Sequence, residues 1–464
     1  MDSITMTAEQ QLPKGWKKYN LFDICQPKQW KTIAVKDLIN EGYPVYGANG
    51  IIGYYHEYNH DVATVLLTCR GATCGEVHIS KPYSYINGNA MCMDNLSDNT
   101  ITEFLYYYLK SINLNFIISG SAQPQITQIG LRKVEIPIPP LETQQAIVNK
   151  IESLFDEIDE GIGRLKTAAQ QIQQYRQSLL KNAFNGELTK EWRSKHADAL
   201  PSENELLAQI QTTREQYHAQ QLDDWQTAVS QWEQNGKEGK KPSKPKAPTQ
   251  AVKFEENVTD LPSGWGAIKI NQVAEIFTGA TPLKSNANYY ENGSIPWVTS
   301  GSLNNEFVDS ADSFVTDLAL KETNLKLLPK HTLLIAMYGE GKTRGKCSEL
   351  LIEATTNQAI AGIVLNEKYP ISRKFLKFYM FKNYADIRRQ SSGGVQPNLN
   401  LSLVGNIIFP LPCLAEQTQI VAMLESKLTA CDQLAAELAK QLKQAELLKQ
   451  AVLKAAFSGS LLDK

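Results

Sequence analysis

The sequence is short of the features that mark most membrane, secreted and catalytic classes. Its 464 residues contain no apolar run of about eighteen, so nothing in it reads as a membrane span. The opening, Met1 to Gln11, is polar and lacks the apolar stretch of a secretory leader. Seven cysteines, an odd number with no C-x-x-C pair, predict free thiols in a reducing cytoplasm. Cys69 and Cys74 are spaced too widely for a zinc knuckle and the six histidines are scattered, so no metal site is expected. The net charge is only −2, which speaks against strong unaided binding to nucleic acid; phosphate contacts would need local basic patches or a basic partner. No Asn-Pro-Pro-Tyr or Asp-Pro-Pro-Phe run occurs, and no Ser/His/Asp or Cys/His set stands out. The expectation is a chain without a catalytic centre of its own.

What the sequence has is a duplication. Pro139-Pro140-Leu141-Glu142-Thr143-Gln144-Gln145-Ala146-Ile147-Val148 returns as Pro412-Cys413-Leu414-Ala415-Glu416-Gln417-Thr418-Gln419-Ile420-Val421. Ala183-Phe184-Asn185-Gly186-Glu187-Leu188 returns as Ala456-Phe457-Ser458-Gly459-Ser460-Leu461. One fixed offset aligns the two stretches without a gap, and roughly a third of the positions match. In the first copy apolar residues fall at Ile147, Ile151, Leu154, Ile158, Ile162, Leu165, Ala169, Ile172, Tyr175 and Leu179. In the second they fall at Ile420, Leu424, Cys431, Ala435, Leu438, Leu442, Ala445, Leu448 and Val452, with Lys427 interrupting. Steps of three and four predict a long helix with one apolar seam, a rod of about 60 Å. A narrow seam on a long rod must be covered, and the simplest cover is the other rod.

The repeat extends beyond the rods. Leu12-Pro13-Lys14-Gly15-Trp16 opens a block that ends at the first rod; Leu261-Pro262-Ser263-Gly264-Trp265 opens another that ends at the second. Inside each block, short β-rich runs alternate with Gly, Asn and Ser turns. The run Tyr43 to Tyr55 has Asn49-Gly50 at a tight turn; Val62 to Cys69, Lys133 to Ile138 and His331 to Met337 read as strands, and Phe104 to Leu114 and Arg373 to Arg389 read as helices. Between the repeats, Glu203 to about Gln234 reads as a polar helix. Gly236 to Pro248 reads as a basic, solvated tether. The expected boundaries are 1–140, 141–190, 191–260, 261–411 and 412–464.

Recognition is the chemistry these turns can support. Arg and Lys pair with guanine and phosphate, and Asn and Gln pair bidentately with adenine. The candidates are Tyr46, Asn49, Arg70, Gln123, Gln125, Tyr338, Lys342, Arg344, Lys346, Gln396 and Asn398. Two other readings compete. Ala336-Met337-Tyr338-Gly339-Glu340-Gly341-Lys342-Thr343 is one residue from the phosphate-binding pattern G-x-x-x-x-G-K-[ST], which would make the chain a nucleotide-binding enzyme. The rods alone would suit a coiled-coil scaffold without DNA readout.

The layout resembles the DNA specificity subunit of type I restriction-modification enzymes over almost the whole chain. The resemblance is carried by Leu-Pro-x-Gly-Trp at Leu12 and Leu261, by the paired rod openings at Pro140 and Cys413, and by Ala-Phe-x-Gly-x-Leu at Ala183 and Ala456. Gly279-Ala280-Thr281-Pro282, Ile295-Pro296-Trp297 and Thr356-Asn357-Gln358-Ala359 add to it. Thr143 departs from the family's usual Glu-Gln, which Glu416-Gln417 keeps, and Cys413 stands where Pro is usual. The resemblance implies an α+β chain with two α/β target recognition domains with curled sheets. Two long antiparallel helices forming a coiled coil would separate them in a pseudo-two-fold internal repeat. It implies double-stranded DNA as ligand, each block reading half of a split site. It implies two modification subunits and restriction/translocase subunits as partners. S-adenosylmethionine, ATP and Mg would be bound by those partners and not by this chain, and no membrane is expected.

Overall fold

The computed structural model describes residues 12–48, 50–120, 123–239, 241–245, 252–255, 258, 261–339, 343–390 and 398–462. They divide into two compact units, residues 1–170 with 435–464, and residues 171–434.

In the first unit, strand Lys17–Asn20 pairs antiparallel with Glu135–Ile138 and ties the two ends of the block together. A four-stranded antiparallel sheet runs Gln26–Gln29, Ala90–Asp94, Val65–Thr68, Val77–Ile79. A three-stranded sheet places Tyr43–Gly47 between Gly50–Tyr55 and Tyr85–Ile86, the last pair parallel. Alternation sorts the faces of Ala90–Asp94. Met91 and Met93 enter the main core with Phe104 and Leu105, while Ala90 and Cys92 pack with Tyr46, Leu66 and Ile86. The helix predicted from Phe104 spans Thr102–Ser111 and buries Phe104, Leu105, Tyr108 and Leu109. It ends before Leu114 because the Asn113 side chain accepts from Asn115 N and starts a separate turn.

The second unit repeats this plan. Gly266–Lys269 pairs with Ile408–Leu411. A five-stranded sheet runs Ala274–Thr278, Ile360–Leu365, Leu333–Ala336, Cys347–Leu350, Phe307–Val308. A three-stranded sheet runs Phe314–Val315, Ile295–Val298, Thr355–Thr356, the last pair parallel. The motifs at Gly279, Ile295 and Thr356 converge here. Ala280 N donates to Thr356 O at 3.0 Å, and a Cβ at Gly279 would lie 1.9 Å from that carbonyl oxygen, so only glycine fits.

The rods are helices Leu141–Phe184 and Leu414–Phe457, each of 44 residues. Each unit combines the opening of one helix with the end of the other. In the first unit Ile147, Val148 and Ile151 share a core with Val452, Leu453 and Ala456. In the second, Leu179, Ala183 and Phe184 share one with Ile420, Val421 and Leu424. Lys449 pairs with Asp159 at 2.5 Å in the first unit, and Arg176 pairs with Asp432 in the second. The offset that aligns the two copies carries Asp159 onto Asp432 and Arg176 onto Lys449. Tyr175 and Leu448, expected in the seam, are exposed instead. They too are equivalent positions. At each, the following residue, Arg176 or Lys449, turns toward the other helix and takes the ion pair.

The closing motif of one copy packs against the opening motif of the other block. Phe457 lies 5.2 Å from the rings of both Phe104 and Tyr108; Phe184 lies 5.1 Å from Phe375 and 5.2 Å from Tyr379. Tyr108 and Tyr379 each donate their hydroxyl to the strand that precedes a rod, at Glu135 O and Ile408 O. Burial, with Asp386 nearby, pushes the Tyr379 phenol up to about 12. A Cβ at Gly186 would lie 2.2 Å from Pro262 Cγ, and one at Gly459 would lie 2.3 Å from Pro13 Cγ.

The spacer helix is Glu203–Gln234, begun by a Ser202/Glu205 capping box and anchored in the second unit's core by Leu206 and Ile210. Beyond its C-terminus, the described residues are mostly exposed, as expected of a solvated segment, but they are not free of the helix. Trp225 Nε1 donates to Pro242 O and Trp232 Nε1 to Gly239 O, with Lys244 and Lys241 over the two rings. Two tryptophans seven positions apart lie on one helix face and hold the segment back along it. Among the described residues no helix is long and apolar enough to cross a membrane.

Candidate nucleic-acid interface

In each unit a strand end, a turn and a polar loop are joined by the same backbone hydrogen bonds. In the first, Cys69 N donates to Asn89 O and Cys69 O accepts from Ile126 N at 3.0 Å. In the second, Met337 N donates to Ala359 O and Met337 O accepts from Leu399 N at 3.1 Å. The hairpin turns also correspond. Gly75 N donates to Thr68 O and Thr68 N to Glu76 O; Gly345 N donates to Ala336 O and Ala336 N to Lys346 O. Gly75 and Gly345 have φ of +99° and +84°, a conformation that favours glycine and lets the chain turn back into the next strand. Arg70 and Tyr338 therefore occupy one equivalent place, the first residue beyond the strand end, and both are exposed.

The structure brings several candidates together. Arg70 and Gln125 form an isolated antiparallel bridge, and Gly71 N donates to Pro124 O at 3.2 Å. Arg70, Gln123 and Gln125 are thus exposed on adjoining turns of the first unit. Tyr338 and Asn398 are exposed on either side of the Met337–Leu399 contact in the second. These side chains offer a guanidinium fork, amides and a phenol, a set that can donate to and accept from base edges. Behind Arg70, burial pushes the Cys69 thiol up, although Gln29 and Arg70 draw it down. It is part of the support for the turn.

Other candidates are placed differently. Tyr46 is a core residue, 7% exposed; it packs with Leu66 and Ile86, and its hydroxyl accepts from Lys81 N. It cannot reach a base without leaving that cluster. The cause is a β-bulge between Val45 and Tyr46, which breaks the alternation and turns both side chains inward. Lys346 is half-buried, its ammonium 2.9 Å from Asn304 Oδ1. Arg344 is half-buried, and its carbonyl accepts from Arg388 Nη1. The Lys346 side chain therefore braces the turn, whereas the bond at Arg344 runs through its backbone. Asn304 and Arg388 are not singled out by the sequence; only the positive balance of the Arg373 helix hints at Arg388. Asn49, Lys342 and Gln396 lie outside the described residues.

The phosphate-loop reading does not survive the topology. Leu333–Ala336 pairs antiparallel with Cys347–Leu350, Ile335 opposite Cys347. The described residues 343–346 lead into another strand, whereas a phosphate cradle needs the N-terminus of a helix there.

Comparison with known proteins points the same way. The family model described as the type I restriction modification DNA specificity domain matches residues 13–166 and 262–444. The type I restriction enzyme EcoDI specificity subunit of Escherichia coli is 23% identical over 94% of this chain and 89% of its own length. The MjaIX specificity subunit of Methanocaldococcus jannaschii is 25% identical over 79% and 71%. Among solved structures, a chain from a study of complex assembly and conformational transition of the type I R-M system superposes with a TM-score of 0.66. Its identity is 16%, and the match covers 97% of this chain and 100% of that one. The HsdS subunit from Thermoanaerobacter tengcongensis superposes with a TM-score of 0.53, also at 16% identity, covering 97% and 98%. These likenesses show the fold.

Proposed function

The chain belongs to the type I restriction-modification DNA specificity family, and on that premise we propose that each of its two blocks reads one half of a split DNA site while the chain itself performs no chemistry. The observation that carries this reading is the duplicated turn. Two unlike side chains, Arg70 and Tyr338, stand on one backbone frame, each beside a polar loop. A frame repeated with different side chains suits two readers of different sequences, since direct readout depends on which donors and acceptors are presented. On this reading the long helices set the gap between half-sites and dock two modification subunits. Those subunits bring S-adenosylmethionine; restriction subunits add ATP, Mg and translocation. The near-neutral charge agrees with a subunit that shares phosphate neutralisation with its partners.

The test is reconstitution. The chain together with its modification subunits is expected to methylate adenines within one split sequence, and the chain alone to transfer no methyl group and hydrolyse no ATP. Methylation without sequence preference, or ATP turnover by the isolated chain, overturns the reading.

A further inference from the structure

His60 is buried, 8% exposed, and both of its ring nitrogens face oxygen atoms. Nδ1 is 2.7 Å from Asn59 Oδ1, and Nε2 is 2.9 Å from Asp94 Oδ1. The Asn59 amide cannot be flipped. Its Oδ1 accepts from Ile86 N at 2.8 Å and its Nδ2 donates to Ile86 O at 3.1 Å. Asn59 Oδ1 can only accept, so the proton of the imidazole sits on Nδ1, and a neutral ring turns the lone pair of Nε2 toward Asp94. Two lone pairs do not rest 2.9 Å apart without a cation between them. That cation is either a proton, on the ring or on the carboxyl, or a metal ion.

A third donor decides which to test. Cys92 is fully buried two residues before Asp94, on the same strand face. Its Sγ, one ring nitrogen of His60 and one Asp94 oxygen all lie within 4.8 Å of one another. We propose that His60, Asp94 and Cys92 form a site for a divalent transition metal of the zinc class in the first block. Imidazole nitrogen, carboxylate oxygen and thiolate are that ion's ligand set, with bonds to N and O of about 2.0–2.1 Å. Two such bonds to atoms 2.9 Å apart enclose roughly a right angle, and a few tenths of an ångström of movement opens it toward a tetrahedron.

The outer groups are those a metal site requires. Asn59 fixes the tautomer, and Trp30 Nε1 donates to Asp94 Oδ2 at 2.9 Å, leaving Oδ1 for the ion. His60 and Asp94 also line a cleft of about 410 Å³ whose rim carries Asp61, room for water as a fourth ligand. The ion would pin strand Ala90–Asp94 to the segment at Asn59–His60. The ligands come from positions 60, 92 and 94, a spacing that matches no short metal motif, which is why the sequence alone gives no metal site.

The experiment uses the full chain, stripped with chelator and re-equilibrated with Zn²⁺ or Co²⁺. The expected result is about one ion retained per chain after dialysis. The Co²⁺ form should show a thiolate-to-metal charge-transfer band in the near ultraviolet. Cys92→Ser should lose that band and bind Zn²⁺ at least about tenfold more weakly. Cys347→Ser, a buried thiol of the second unit, should change neither. A folded wild-type chain that retains no ion overturns the proposal and leaves a proton as the cation; a Cys92→Ser chain that binds as wild type does overturns it by showing that the ion is held without the thiolate.

Discussion

Gln144 and Gln417 make the same three hydrogen bonds. Gln144 Nε2 donates to Pro139 O and Asn99 O, and its Oε1 accepts from Ile101 N. Gln417 Nε2 donates to Pro412 O and Pro370 O, and its Oε1 accepts from Ser372 N. Both side chains are fully buried. Each locks the first turn of a long helix to the segment leading into a helix of its block, Thr102–Ser111 or the one beginning at Arg373. Truncation to Ala leaves three backbone groups unpaired out of water. Each single variant is therefore expected to lose about 2–4 kcal/mol in urea unfolding. Similar losses for both would show that the two locks are equivalent.

The glycines at the helix exits should be as demanding. Gly186 and Gly459 have φ of +81° and +84°, and each faces a proline ring at a distance no Cβ tolerates. Gly186→Ala and Gly459→Ala are each expected to cost at least about 1 kcal/mol, through strain and through loss of the Pro262 or Pro13 contact. Thermal unfolding of the single variants checks this.

Acid should weaken the second unit through Glu349. Burial raises this carboxyl, but Lys377, Arg373 and His331 outweigh it and hold it below its ordinary value of 4.5. Lys377, itself buried, also reaches Glu306 at 3.0 Å. A carboxyl lowered in the folded state contributes stability above its unfolded value and loses it as pH falls through the folded one. The stability difference between wild type and Glu349→Gln should therefore be full at pH 7 and shrink below about pH 4.5. Denaturant titrations at several pH values read it directly. A difference independent of pH would show that the Glu349 charge does not stabilise the fold.

At the interface, Arg70→Ala and Tyr338→Ala should act on different bases. Each is expected to relax discrimination in one half of the site by about 1–3 kcal/mol and leave the other half intact. Binding of the assembled complex to DNA carrying single changes in each half measures this. Loss of discrimination in both halves from one substitution would mean that Arg70 or Tyr338 supports folding and does not read sequence.

The duplication, both rods and the helical spacer are legible in the sequence because they rest on spacing and on glycine and proline punctuation, which local physics controls. The residues that carry the repeat in the sequence, Pro13, Gly459, Pro262 and Gly186, are the ones that touch. Tyr46 is misplaced by residue type alone because a bulge depends on the partner strand, which composition does not reveal. Tyr175 and Leu448 continue an ideal heptad on paper, but Arg176 and Lys449 find carboxylates on the facing helix and take their place. The Lys-Pro segment reads as free because nothing local shows that Trp225 and Trp232 hold two of its carbonyls. In the interface, Arg70, Gln125 and Tyr338 can be named from residue type, whereas their shared backbone frame appears only when strands distant in sequence pair.

The most direct measurement is an exchange of residues 12–139 for the corresponding block of another family member, followed by sequencing of methylated adenines in a host carrying the complete system. Two independent readers predict that one half of the methylated site changes while the other half stays as it was. A change in both halves, or in neither, would contradict them.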